Sequence, residues 1–377
     1  MRCRCLYQLT ACLLLLLLVV VGLDGTARAG NADEASQTAW LESLGGHYSR
    51  NEAGEIIGVD LRRCWVTDAD MEHLARLPQL ESINLAYTKI TDLSLEQLIP
   101  LEKVKVLNLY YAEYISDSGI AHLVGWRNLE QLNLRGTKVT SSVFQHVANM
   151  KQLKFLDVGH SRVNDDLFEN LAGLEKLEHF SFGGNKMSGT CLPQLKLLPA
   201  LRELSVAGQQ RTDSGLWSVA VTDFNIDSIA QLDQLELLDL GGSSISDRGL
   251  AKLARLKNLH TLDLSQTRVT AKGIEALTEL PELRSLNLWQ AQGIDDAAVP
   301  FLGKMPKLAV LELQESGVTA AGLAELAQKK KLAQLFVGGI ELTPSQVQEL
   351  RQALPGCLVS WWQKPKIDYP RESQRGD

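Results

Sequence analysis

The sequence is poor in the residues that build reactive centres or cross-linked folds. Three of its six cysteines, Cys3, Cys5 and Cys12, lie in an apolar N-terminal stretch. Cys64, Cys191 and Cys357 remain, an odd and widely spaced set, which excludes a disulfide framework. No Cys-x-x-Cys or Cys/His pair has zinc spacing, so neither a metal nor a cofactor is expected. There is no G-x-S-x-G, no H-E-x-x-H and no Walker loop. The seven histidines fall in different parts of the chain, with His73, His122, His146 and His260 read as solvated residues on or beside helices. The chain is therefore read as a non-enzyme. Positive charge is also in deficit. A formal net charge of −7 gives no electrostatic footprint for phosphate backbones or anionic membrane surfaces, which argues against a nucleic-acid partner.

Long apolar runs are absent except at the start. Arg2 and Arg4 precede Leu13 to Val21, and Ala27-Arg28-Ala29 follows with small-x-small spacing. This is the pattern of a secretory signal over residues 1–29, with cleavage leaving Gly30 as the first residue and no inserted membrane segment. Counted from Leu6 to Leu23 the run nearly suffices for an uncleaved anchor, which stays open. The protein is expected outside the cytoplasm: periplasmic, cell-surface or extracellular.

What dominates the rest is repetition. Leu80-Glu-Ser-Ile83-Asn-Leu85 returns as Val104-Lys-Val-Leu107-Asn-Leu109, Leu129-Glu-Gln-Leu132-Asn-Leu134 and Leu153-Lys-Phe-Leu156-Asp-Val158. Further copies begin at Leu177, Leu201, Leu235, Leu259, Leu283, Leu308 and Leu332, and Ile56 to Leu61 is the first. The alternation in each is that of a strand with one buried face. A second half follows, of the form T-x-[VI]-[TS]-D-x-G-L-x-x-L-x-x-L. Its apolar residues three apart mark one stripe of a short helix, exemplified by Leu250, Leu253 and Leu256. Thr91, Asp92, Ser246 and Asp247 sit where a helix start needs oxygen acceptors. One strand-helix unit cannot bury its apolar face alone, whereas stacked neighbours form a continuous spine.

The repeat resembles the leucine-rich-repeat family, nearest its ribonuclease-inhibitor-like and F-box-type cysteine-containing subclasses, in a bacterial exported form. The T-D-x-G-L signature is quoted by Ser116 to Ile120, Thr212 to Leu216 and Ser246 to Leu250. The resemblance implies an α/β solenoid, a curved right-handed horseshoe with a parallel inner sheet and outer helices. The chain divides into the signal at 1–29, an N-terminal helix-and-hairpin cap at 30–55, about twelve repeats and a closing strand at 56–362, and a disordered tail at 363–377. Trp361 and Trp362 are placed to cover the open end of the spine. The family's Asn/Cys ladder position is here mostly Thr or Ser, as at Thr88, Thr137, Ser161, Ser243 and Thr267, and Cys64 occupies it as a buried residue.

Candidate binding residues lie on the inner face. The column through the strands reads Asp60, Asn84, Asn108, Asn133, Asp157, Ser181, Ser205, Asp239, Asp263, Asn287, Glu312 and Phe336. Two readings stand: local hydrogen bonding that keeps the sheet soluble, or a concave face for a basic or polar ligand. Tyr87, Tyr110, Tyr111 and Tyr114 cluster on neighbouring copies, either as a binding hot spot or as fill around an extra residue. Arg135, Asp157, Asp239, Asp263 and Trp289 complete the face. Between Leu201 and Leu235 the spacing is ten residues too long, placing an insertion within Gly208 to Ala220 that carries Arg211 and Trp217. It is a functional rim loop, a neutral insertion or a decayed repeat. The terminal Arg375-Gly376-Asp377 is read as a chance match to integrin-binding sequences. The function implied is a module binding a protein, with a surface adhesin or host-directed effector, or a subunit of a secreted enzyme, as alternatives.

Exported material should begin at Gly30, which N-terminal sequencing checks. Its thermal melt should be unchanged by reductant; a lower Tm under reduction would show a cross-link that three isolated cysteines do not suggest.

Overall fold

The structure is a computed structural model that describes residues 32–213, 215–329 and 331–363. The signal at 1–29 and the stretch 364–377 of the tail, with Arg375-Gly376-Asp377, lie outside the described residues. A helix at Ala32–Ser43 leads into β1 (His47–Arg50), which pairs antiparallel with β2 (Ile56–Asp60). One strand per repeat then adds in chain order: β3 (Ser82–Asn84), β4 (Val106–Asn108), β5 (Gln131–Asn133), β6 (Phe155–Asp157), β7 (His179–Ser181) and β8 (Glu203–Ser205). Two strands of the insertion, β9 (Gln210–Thr212) and β10 (Gly215–Trp217), form a separate antiparallel hairpin. The sheet resumes with β11 (Leu237–Asp239), which pairs directly with β8. It continues through β12 (Thr261–Asp263), β13 (Ser285–Asn287), β14 (Val310–Glu312), β15 (Gln334–Phe336) and β16 (Leu358–Ser360). This open, curved 14-strand sheet with helical segments outside is a leucine-rich-repeat solenoid, as the periodicity predicts.

The register is uniform. Leu132, Leu156, Phe180, Leu204, Leu238, Leu262, Leu286 and Leu311 are paired neighbour to neighbour at the middle of successive strands, and all are fully buried. They meet Leu250 and Leu253 of the helix Asp247–Leu253 and Leu256, which lies beyond its end and not on it as the spacing predicts; all three are fully buried in one core cluster running the length of the solenoid. Where larger side chains enter, Phe144, Phe168, Phe180 and Phe182 pack edge to face or tilted, with centroids 4.9–6.2 Å apart.

The helix starts hold the repeats in step. Thr91, Ser116, Ser246 and Thr270 each accept a hydrogen bond from the backbone two residues on, so the hydroxyl residues are N-caps. The following aspartates do something different from the local capping predicted. Asp92 accepts from the backbone N of Ser116 in the next repeat at 2.7 Å, and Asp117 from Thr140 N (2.9 Å) and Oγ1 (2.7 Å). Asp247 accepts from Thr270 N and Oγ1, both at 2.7 Å, and Asp296 from Thr319 N and Oγ1 at 2.8 and 2.6 Å. Each carboxylate reaches forward one repeat because its position on the first helical turn faces the neighbouring cap. This explains the glycine of T-D-x-G-L. A Cβ on Gly273 would stand 2.5 Å from Asp247 Oδ1, and one on Gly249 would stand 2.5 Å from Asp223 Oδ1. The glycine is the opening through which the previous repeat's carboxylate enters.

Three further expectations are corrected. Thr212 to Leu216 matches the signature but is not a helix start: Thr212 ends β9 and Gly215 opens β10. Cys64 is half-buried at the rim of the core, not enclosed, because only one repeat partner covers the ladder near the N-terminal end. Of the end tryptophans, Trp361 packs against the core, but Trp362 turns onto Gly338, where a Cβ would overlap its ring.

Asp247→Ala removes a charged acceptor from two donors and should destabilise by about 2–3 kcal/mol. Gly273→Ala should destabilise through its contact with the same carboxylate. The double variant should lose less than the sum, measured by denaturant unfolding. Strict additivity would show that the two residues do not meet.

Candidate functional site

The inner-face column begins as a backbone device. Asn84, Asn108, Asn133, Asp157, Asp239, Asp263 and Asn287 each accept from the backbone N two residues ahead, at 2.7–3.1 Å. Their oxygens thus turn the chain out of the strand, which supports the local hydrogen-bonding reading for most of the column. The column is also less exposed than predicted. Asp157, Ser181, Asp263 and Asn287 are buried, because curvature crowds neighbouring side chains on the concave side.

The next residue but one forms a second column: Tyr110, Arg135, Gly159, Gly183, Ala207, Gly241, Ser265, Trp289, Gln314 and Gly338. Arg135 lies along it over Gly159, 3.5 Å from Asp157 Oδ1 and 3.5 Å from Ser181 Oγ. The guanidinium is internally engaged, with its side chain 15% exposed. Past the small residues comes an acidic group. Ser205 Oγ donates to Asp239 (2.9 Å), and Asn287 Nδ2 donates to Asp263 (2.7 Å). Burial first, and then the Asp263 charge, push the Asp239 carboxyl up to about 7. Burial followed by the same charge raises Glu312 to about 7, and burial raises Asp263.

A third column turns the chain in the left-handed region. Arg63, Tyr87, Tyr111 and His160 hold φ between +50° and +62° where other repeats have Gly136, Gly184, Gly242 and Gly339. Tyr87 and Tyr111 stack at 5.7 Å, Tyr110 meets both edge-on at 5.2 and 4.8 Å, and Arg63 lies 4.9 Å over Tyr87. Tyr111 in turn covers Gly136. The predicted cluster therefore forms, but without Tyr114, which faces Lys138 at 4.8 Å.

The insertion leaves from this same turn column, at Gly208. Its hairpin bears Leu216, which is exposed, and the half-buried Trp217. Arg211 is in β9 and its side chain lies outside the described residues. The candidates do not converge on one pocket. Tyr110 follows β4 and Trp289 follows β13, seven strands on in the sheet order, or roughly 34 Å at ordinary strand spacing.

Three features escaped the sequence reading. Trp65 is 82% exposed with Lys89 5.4 Å over its ring, beside Tyr87. Phe224 is 94% exposed at the helix start after the hairpin. Trp65 belongs to a column that continues as Lys89, Tyr114, Lys138 and Arg162, so aromatic and basic side chains alternate along its first four members, a pattern visible in the alignment of repeats. The third is a charge ladder just before the strands, with Lys105–Glu81 at 2.8 Å, Lys154–Glu130 at 2.7 Å and Arg202–Glu236 at 2.5 Å. His260 belongs to it, 3.9 Å from Glu236, and not to an outer helix. Next to it His179 Nδ1 meets Glu203 at 2.8 Å and stacks on Phe155. That hydrogen bond outweighs burial and lowers the Glu203 carboxyl.

Among the described residues no three His, Cys, Asp or Glu are arranged to hold a metal ion, and no helix is long and apolar enough to cross a membrane.

The class this geometry defines is the leucine-rich-repeat solenoid. The family described as Leucine Rich repeat matches residues 255–277, one repeat unit. Comparison with curated proteins gives no match. Among solved structures, an internalin (inlF) from Listeria monocytogenes is similar at 21% identity and TM-score 0.56, over 87% of this chain and 94% of that one. The TLR13–ssRNA13 complex is similar at 21% identity and TM-score 0.53, over 84% of this chain but only 47% of that one. Both likenesses concern the fold.

The aspartates of the two faces have opposite pH signatures. At Asp68, Asp165 and Asp223 burial opposes ionisation, but hydrogen bonds from the next repeat's cap outweigh it and hold the carboxyls below their usual range. That stability is present above the ordinary carboxylate pKa and is lost as pH falls through the lower folded value. Asp239 and Glu312, raised to about 7, instead cost stability as pH rises from the carboxylate range towards 7. Glu312→Gln should therefore raise Tm at pH 8 by more than at pH 5. An equal change at both would show that Glu312 is not desolvated.

Proposed function

We propose that this is an exported leucine-rich-repeat module whose concave face and adjoining rim bind a protein partner. The reading takes residues 1–29 as signal, 30–55 and the closing strand as caps, and the repeats as the binding body. It also takes the ribonuclease-inhibitor-like subclass and the bacterial exported form as the nearest relatives.

The observation that carries it is two separate groups of exposed or half-buried apolar side chains. Trp65, Tyr87, Tyr110 and Tyr111 form one in the N-terminal repeats, and Leu216, Trp217 and Phe224 form the other at and just after the hairpin. Exposed Trp and Tyr are enriched where interfaces concentrate their energy. Tyr87 and Tyr111 also keep a left-handed backbone at a turn where glycine is the unstrained choice. Their rings pack on one another, on Tyr110 and under Arg63, which fixes them as one rigid apolar surface. The likeness to the internalin and to TLR13 supports the solenoid body of this reading. The net charge of −7 argues against carrying over the ssRNA of the TLR13 complex, because the chain's overall field does not attract phosphate.

The test is capture with the mature protein, identification of the partner by mass spectrometry, and titration of variants against it. Tyr87→Gly relieves about 1 kcal/mol of left-handed strain and loses contacts of similar worth with Tyr110, Tyr111 and Arg63, so Tm should change little. The variant should nevertheless weaken binding, as should Trp217→Ala, by about thirtyfold for a central aromatic. Lys272→Ala, on an exposed helix position, should change neither. Unchanged affinity in both aromatic variants would remove both groups from the interface.

A further inference from the structure

We propose that the rim of the N-terminal repeats is a docking strip for an acidic, extended segment of the protein partner, one in which glutamate or aspartate is interspersed with apolar residues. The strip is Trp65, Lys89, Tyr114, Lys138, Arg162 and Lys186, one residue from each of six successive repeats. The assignment rests on the preceding reading and adds the chemistry of what the rim receives.

The first observation is position. The backbone ties successive repeats together at this turn. Lys138 N donates to Ile115 O at 2.8 Å and Arg162 N to Val139 O at 2.9 Å, and Thr91 and Thr140 bridge to Tyr114 and Arg162. The side chains therefore stand in a row, all exposed except Lys138, which is half-buried. In the later repeats the same position reads Ser244, Arg268, Gly293, Gly317 and Glu341, with a single cation and no ring. The turn itself thus demands neither rings nor cations, and both are confined to one half of the solenoid.

The second is charge without counter-charge. Among the described residues Lys89, Lys138, Arg162 and Lys186 make no ion pair. Three of these cations follow one another in adjacent repeats. The ladder before the strands avoids that arrangement by alternating Glu81, Lys105, Glu130 and Lys154. The acids bordering the strip are already engaged: Asp60 by Arg62 at 2.7 Å, Asp157 by Arg135 at 3.5 Å, and Asp68 and Asp165 by the next repeat's cap. Between strand and cap, the turns of these repeats contain one acid, Glu113, exposed beside Tyr114.

The third is the setting of the cations. Lys89 Nζ lies 5.4 Å over Trp65, Lys138 Nζ 4.8 Å over Tyr114, and the Arg63 guanidinium 4.9 Å over Tyr87. A ring face positions a cation without neutralising it, so the charge is held in place and stays open to an anion. Trp65 and Tyr87 also line a cleft of about 160 Å³ with Arg63 and Lys89. Two rings and two cations around one cleft suit a carboxylate on a short apolar stem.

The length of the strip selects the class of ligand. At ordinary strand spacing its ends are roughly 24 Å apart, which no single side chain or free anion covers and an extended chain covers in about seven residues. A nucleic acid or sulfated glycan is charged on every unit and meets the field of the whole chain, whose net charge is −7. A short mixed segment meets chiefly the charges within a Debye length of roughly 8 Å. Its apolar side chains cover the exposed faces of Trp65 and Tyr114.

The probe is a short glutamate-rich peptide with interspersed leucines, titrated calorimetrically into the full chain. Its lysine-for-glutamate counterpart, heparin and a single-stranded oligonucleotide are the comparisons. The glutamate peptide should bind, its counterpart should not, and added sodium chloride should weaken the binding. Trp65→Ala should weaken it by about tenfold, as should Lys138→Gln and Arg162→Gln made together, with Tm little changed. Arg268→Gln, an exposed cation at the same turn in the other half, should leave it unchanged. Equal weakening by Arg268→Gln would reduce the effect to net charge and overturn the strip. Tighter binding of heparin or the oligonucleotide, lost in the double variant, would give the strip to another class of polyanion and overturn the peptide assignment. If the peptide fails to bind while Trp217→Ala still weakens the captured partner, the acidic-segment assignment is wrong and the binding-module reading stands.

Discussion

The structure depends on one contact repeated along its outer shoulder: an aspartate at the start of most helical segments accepting hydrogen bonds from the cap of the next. Apolar burial supplies most of the driving force, but leucine against leucine is permissive about spacing. The carboxylate is not. It must meet a backbone N–H and a hydroxyl at once, as Asp247 does with Thr270. It fits only because Gly273 has no side chain. Where Ser141 stands in the aspartate's place it still accepts from Asn164 N at 3.0 Å, so the step survives with a shorter reach. The outer row thereby sets the rise that the inner sheet must follow.

Once the rise is set, the inner face has little freedom. Parallel strands in uniform register bring like residues side by side at every step. Asparagine and aspartate can bind their own turn, and that use consumes the column. The charge ladder solves the same problem by alternation, Glu81, Lys105, Glu130 and Lys154 neutralising one another. Acids lie in adjacent repeats without such alternation at Asp239 and Asp263, and there burial raises both carboxyls while the Asp263 charge raises Asp239 further. The molecule is thus electrostatically quiet over most of its concavity and loaded near its C-terminal end. The tyrosine cluster lies near the N-terminal end. A partner spanning both would be oriented by that asymmetry.

The hairpin shows how a solenoid carries an insertion. β8 and β11 pair as if nothing intervened. The extra residues leave through Gly208, at a turn where the chain already adopts a left-handed conformation, and return to the repeat at Val219, bridged to Met187. Neither the sheet nor the core is interrupted, so this segment can change with little cost to stability.

The sequence by itself determined the repeat, its register and its buried residues, because period-two and period-three apolar spacing translates directly into faces of strands and helices. It also located the insertion and the tyrosines, since both break an otherwise regular pattern. The tertiary structure alone decided what the polar residues do. Asp92 and Asp247 look like local caps in the chain, yet their partners lie 23 or 24 residues away, a distance that only stacking closes. The signature at Thr212 to Leu216 became a hairpin because no neighbouring repeat offers it a cap to hold. The neighbours of Asp239, Glu312 and Gln314 are set by curvature, and curvature is a property of the stack, written in no single repeat.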